Sequence, residues 1–179
     1  MKGKAVVLFL SLMIIIVFTY YKLNYRDLDE AIRESNVPVD EVFHTIDFND
    51  HLIMFYGSYG DILSVATIEK NLLGFRWVFG TGSKQFNEED RKLTRTFSNL
   101  EPTRKKSDDH ELISLTFGVI NDPLIETLEI KYKDQDFAKA TIIETGKGRI
   151  WYCFSETPVN YDPDVKVHYR NGTVKTGWE

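Results

Sequence analysis

From Pro38 onward the chain is cut by turn signals at roughly eight- to twelve-residue intervals, a spacing that leaves room for strands and little else. The runs between the turns are short, apolar and rich in β-branched and aromatic residues, so each must find hydrogen-bond partners in a neighbouring run. Val42–Phe48 and Leu52–Tyr56 flank Asn49-Asp50-His51 and read as a hairpin, with His51 in the turn. Ile62–Glu69 and Phe75–Phe79 flank Lys70–Gly74, where the glycine supplies a positive φ. Later runs are Leu112–Ile120, Ile125–Tyr132, Phe137–Glu144, Arg149–Phe154, Val165–Arg170 and Thr173–Trp178, the last two joined by Asn171-Gly172. Leu128 and Ile130 alternate with Glu129 and Lys131. Ile150, Tyr152 and Phe154 alternate with Trp151, Cys153 and Ser155. The expected fold class is mainly β, with antiparallel sheets in two β-rich halves, residues 27–83 and 111–179, the second sandwich-like.

Two helices are expected beside the strands. Asp27–Ser35 opens with acids and puts Leu28, Ala31 and Ile32 on one face before Val37-Pro38 stops it. Residues 84–110 form a helix and loop connector between the halves. Gly80–Ser83 opens a loop there, and Asn87 caps a helix running through Glu88 and Asp90 to Arg95, with Leu93 and Phe97 on its inner edge. Glu101–Asp109 is polar throughout and predicts an exposed loop.

The N-terminus has a different character. Residues 1–26 form an anchor in which Ala5 to Tyr21 carry no charge, a transmembrane span of about 26 Å as a helix, with Lys4 and Lys22 placed to snorkel. A cleaved signal peptide would show small residues after the apolar run, and Thr19-Tyr20-Tyr21-Lys22 shows none. The flanking cations tie at two a side, so the α-amine decides for a cytoplasmic N-terminus and an extracytoplasmic domain.

Charge and cysteine narrow the function. Residues 1–26 hold Lys2, Lys4, Lys22 and Arg26 of the chain's 22 cations and none of its 27 acids. Residues 27–179 keep 18 cations against 27 acids, a net charge of −9, which repels phosphate backbones and predicts no nucleic-acid partner. Cys153 has no partner in the chain and sits among large apolar residues that favour a buried thiol over a nucleophile. His44, His51, His110 and His168 show no metal-ligand spacing. Asp108–Glu111 and the set Asn160, Asp162 and Asp164 offer too few oxygens for calcium and read as turns. Gly80–Lys84 lacks the spacing of a phosphate loop, Asn171–Thr173 matches a glycosylation sequon that the turn explains as well, and no motif predicts a cofactor. Phe75, Trp77 and Phe79 at period two predict a core face. One local excess of positive charge stands out: Lys84, Arg91, Lys92, Arg95, Arg104, Lys105 and Lys106 form a candidate interaction patch for an anionic envelope polymer or an acidic partner.

Ala31-Ile32, Val42–Thr45, Ile53–Tyr56, Gly74–Val78, Phe117–Ile125, Ile150–Tyr152 and the hairpin glycine Gly172 together resemble small membrane-anchored or lipidated extracytoplasmic proteins of Gram-positive bacteria. The resemblance covers most of residues 28–178. It implies location and fold, and it carries no activity or site residue. The expected function is a single-pass membrane protein whose outer domain binds or regulates an envelope protein or polymer. The alternative is an envelope hydrolase or transferase whose residues, His44, His110 or a carboxylate pair, meet only in three dimensions.

Overall fold

The structure is a computed structural model that describes residues 9–18, 27–72, 74–88, 90–103 and 112–178. It is mainly β, with three antiparallel sheets. Helix α1 (residues 9–18) is followed by α2 (Leu28–Glu34). The first sheet is the meander β1 (Glu41–Phe48), β2 (His51–Ser58), β3 (Ile62–Asn71) and β4 (Gly74–Lys84), in that order. The other strands are β5 (Thr96–Leu100), β6 (Ile113–Ile120), β7 (Ile125–Lys131), β8 (Ala138–Lys139), β9 (Thr141–Thr145), β10 (Gly148–Ser155), β11 (Asp164–Tyr169) and β12 (Val174–Thr176). They pair as β5-β6-β10-β9 in the second sheet and β12-β11-β7-β8 in the third.

The layers follow from which side chains each strand buries. On the outer face of the first sheet, Leu52, Met54, Ala66, Ile68 and Trp77 pack with Leu28 and Ile32 of α2. A seven-residue helix is marginal alone, so this packing stabilises α2, helped by Asp27 accepting from the Glu30 N–H at 2.7 Å. On the inner face, Ile53, Phe55, Leu63 and Val65 meet Leu115, Phe117, Ile150 and Tyr152 of the second sheet. The second sheet turns its other face, with Trp151, Cys153 and Ile142, onto Leu128, Ile130, Val165 and Val167 of the third. The order is helix, sheet, sheet, sheet. Strand β6, in the middle, buries all eight residues, so Ser114, Thr116 and Gly118, which alternate with Ile113, Leu115, Phe117 and Val119, are covered as fully as their apolar neighbours.

Four local expectations are corrected. β4 continues through Lys84, so Gly80–Ser83 is strand rather than loop; a Cβ on Gly82 would lie 2.2 Å from Ser64 Oγ, and the close approach explains the glycine. The helix from Asn87 to Arg95 is not formed among the described residues. Asn87 has φ 64°, outside the extended region an N-cap needs, and the segment instead pairs with β6 through Thr94 N–H to Val119 O and a bridge from Leu93 to Ile120. Phe137–Glu144 is split, because the chain passes from the third sheet (β8) to the second (β9) at Ala140. Phe75, Trp77 and Phe79 do not share one face. Thr67 pairs Phe79 while Ile68 pairs Trp77, so Val78 is a bulge that sends Phe79 to the inner core and leaves Phe75 and Trp77 on the outer one.

Of the predicted span Ala5 to Tyr21, residues 9–18 are helical and wholly exposed; the remainder lies outside the described residues. No helix among the described residues is long and apolar enough to cross a membrane.

Candidate functional site

The two seams of this stack close differently. Between the second and third sheets, Trp151 is fully buried and donates from Nε1 to Thr94 O at 3.1 Å. Thr94 Oγ1 in turn donates to Gln85 Oε1 at 2.8 Å and accepts from the Val119 N–H at 2.8 Å. Gly118 lets this loop lie against β6, since a Cβ there would sit 1.9 Å from Thr94 O. Tyr132 crosses the same seam, its hydroxyl donating to Cys153 O at 2.7 Å and accepting from the Thr116 N–H at 3.1 Å. Burial holds the Tyr132 phenol protonated far above its ordinary range and pushes the Cys153 thiol up to about 11. A thiol so placed is inert near neutrality.

Between the first and second sheets, no described residue closes the seam at the end carrying the β1–β2 turn. A groove of about 750 Å³ runs there between Phe48, Asp50 and His51 on one side and Leu112, Phe154 and Glu156 on the other. Its base includes Ile113, 7% exposed. Phe48 and Phe154 lie against each other with centroids 5.7 Å apart and rings tilted by 30°, and Phe48 keeps 36% of its surface exposed. A two-residue turn explains the placement: Asn49 adopts φ 53°, Phe48 pairs His51, and both residues face inward with Ile46 and Ile53.

His51 stands in a row that crosses the whole first sheet. Its register partners are Phe48 on β1 and Glu69 on β3, and Glu69 is ion-paired to its own partner Arg76 on β4. Among the described residues no hydrogen bond joins His51 to Asp50, Glu69 or Glu156. The described residues therefore line a concave, partly apolar groove and include no preassembled acid–base pair at His51.

The sequence candidates fall elsewhere. His44 is half-buried inside the first seam, stacked on Tyr152 at 6.1 Å. His168 Nε2 lies 3.0 Å from Glu129 Oε2 on the third sheet. His110 lies outside the described residues, as do Arg104, Lys105, Lys106 and Asp108–Glu111. In the basic patch, Lys84 pairs with Asp61 at 2.9 Å and Arg91 with Glu88 at 3.3 Å. Arg95 is held on both sides. Its Nε donates to Asp162 Oδ1 at 2.9 Å while its guanidinium lies 4.7 Å above the Trp178 ring, which stacks on Trp151. The Arg95 hydrogen bond lowers the Asp162 pKa below the usual carboxylate value. Lys92 is exposed, and its carbonyl accepts from the Asn121 and Asp122 N–H groups. Asp162 thus serves Arg95, Asp164 begins β11, and among the described residues no three His, Cys, Asp or Glu side chains converge on a metal position.

Sequence reasoning passed over Phe48, Leu112, Phe154 and Glu156. Their one legible signal was large apolar residues at strand ends beside polar turns, a pattern that many core-capping residues share. Comparison with protein-family models, curated proteins and solved structures gave no match.

Proposed function

We propose that this protein is a membrane-anchored module that binds another component of the cell envelope in the groove between its first and second sheets, with no chemistry of its own. The observation that carries the reading is the groove itself: a concave site with exposed aromatic and aliphatic walls, an acidic rim and no hydrogen-bonded catalytic pair among the described residues. Anchoring rests on the charge-free run from Ala5 to Tyr21 and on residues 9–18, whose apolar side chains are exposed all round the helix, a surface suited to lipid. In this reading the N-terminus is cytoplasmic and residues 27–179 lie outside the membrane, in keeping with the resemblance to anchored extracytoplasmic proteins of Gram-positive bacteria. The competing reading is an envelope hydrolase or transferase, favoured only by the meeting of His51 with Asp50 and Glu156 on one rim.

The test places a photo-crosslinking phenylalanine analogue in the full chain in native cells, at Phe48 or, as control, at the exposed Val174 of the third sheet. A defined adduct from position 48 and none from 174 is expected. Adducts from 174 alone would overturn the groove as the binding site. Anchoring is checked by intact mass from the membrane fraction, where loss of roughly the first 25 residues would contradict an uncleaved span.

A further inference from the structure

We infer that the groove selects an extended stretch of polypeptide in which a basic residue stands beside a large apolar one. This rests on the groove being the binding site, as proposed above, and adds the class of occupant. Charge complementarity is the first argument. Asp50 and Glu156 are exposed on the rim, and among the described residues no Lys or Arg lines the groove. The cations closest to it in the strand register are already committed, Lys70 to Asp47 at 3.0 Å and Arg76 to Glu69. No Lys or Arg among the described lining residues competes for the two rim carboxylates, and the net charge of −9 on residues 27–179 draws a cationic partner towards the domain.

Shape is the second argument. Phe48 and Phe154 meet at a 30° tilt, so they offer a ridged apolar wedge rather than a flat ring to stack on a sugar face. A branched or aromatic side chain fits between that wedge, Leu112 and Ile113, while its neighbour along an extended backbone points to the rim. Anionic lipid headgroups and acidic polymers meet like charge at Asp50 and Glu156, the charged residues among the described lining.

The experiment uses the full chain in nanodiscs of zwitterionic lipid, with empty discs as the control. Labelled peptides alternating Leu with Lys, Leu with Ser and Leu with Glu, together with a neutral oligosaccharide, are titrated by fluorescence anisotropy. The Leu–Lys peptide is expected to bind about tenfold more tightly than Leu–Ser, and the Leu–Glu peptide and the sugar not to compete. The Asp50→Asn, Glu156→Gln double variant, whose changes are exposed and leave the core intact, should remove the tenfold preference. Phe48→Ser should abolish binding of both peptides. Equal or tighter binding of the acidic peptide or the sugar, no binding of any peptide, or a preference untouched by the double variant would overturn the inference. If the sugar or the acidic peptide binds and Phe48→Ser abolishes that binding, the groove stands as the site and only the occupant is wrong. If Phe48→Ser leaves all binding unchanged, the groove reading fails as well.

Discussion

The seam between the second and third sheets and the seam between the first and second are built from similar residues and end differently. In the former, Trp151, Tyr132 and Thr94 each tie a buried polar side-chain atom to a backbone group, and Trp178 with Arg95 covers the edge. In the latter, His44, Tyr152 and Phe55 stack through the middle and Phe117 meets Phe55 edge-on, but among the described residues the end beside the β1–β2 turn is open around Phe48 and Phe154. Aromatic side chains thus serve stability in one place and leave apolar surface exposed in the other. The distinction is energetic and can be broken by substitution.

The largest effect belongs to the sealed seam. Trp151→Ala empties a fully buried site and is expected to cost about 4 kcal/mol in urea unfolding. Gly118→Ala should follow at about 3 kcal/mol, because its Cβ would meet the Thr94 carbonyl and the Trp151 ring nitrogen. Tyr132→Phe removes the hydroxyl between Cys153 O and Thr116 N–H, leaving both buried groups short of a partner, and should cost about 2 kcal/mol. In the open seam, Phe48→Ala is expected to cost about 1 kcal/mol or less, since the ring is already partly in water. A loss for Phe48→Ala as large as for Trp151→Ala would erase the contrast.

How much of this was legible depended on how local the cause is. The turn at Asn171-Gly172 was readable because two residues fix a hairpin, and the hairpin at Asn49-Asp50 was readable too, although His51, expected in the turn, begins β2 and pairs with Phe48. Helix α2 was readable because Asp27, its acids and Leu28, Ala31 and Ile32 agree with one another. The layering was not, since Leu115, Phe117 and Val119 face one sheet while Thr116, Gly118 and Ile120 face the other way, and both sets are buried. The single-residue bulge at Val78 put Trp77 and Phe79, which period two assigns to one face, on opposite faces. The connector helix failed because Leu93 and Thr94 found better backbone partners in β6 than the helix offered them. The groove joins strand ends far apart in sequence, and no spacing announces that Phe48 will meet Phe154.

The smallest expected effect concerns the exposed edge of the sealed seam. Because Arg95 lowers the Asp162 pKa, the pair's contribution is fully present above the ordinary aspartate value, about 3.9, and is lost as pH falls through the lower folded value. Asp162→Asn should therefore flatten the acid limb of stability from about pH 4 downward and change the unfolding free energy by less than about 1 kcal/mol at neutral pH. Urea midpoints across that range check it, and an unchanged acid limb would detach Asp162 from the edge.

Amide hydrogen exchange on the full chain, with and without saturating Leu–Lys peptide, tests most directly whether the open seam is where the protein binds. The account expects slowed exchange at Asn49–His51 and Ser155–Glu156 and no change along Val165–Tyr169 of the sealed seam. Protection gained along Val165–Tyr169 instead, with the β1–β2 turn unaffected, would contradict it.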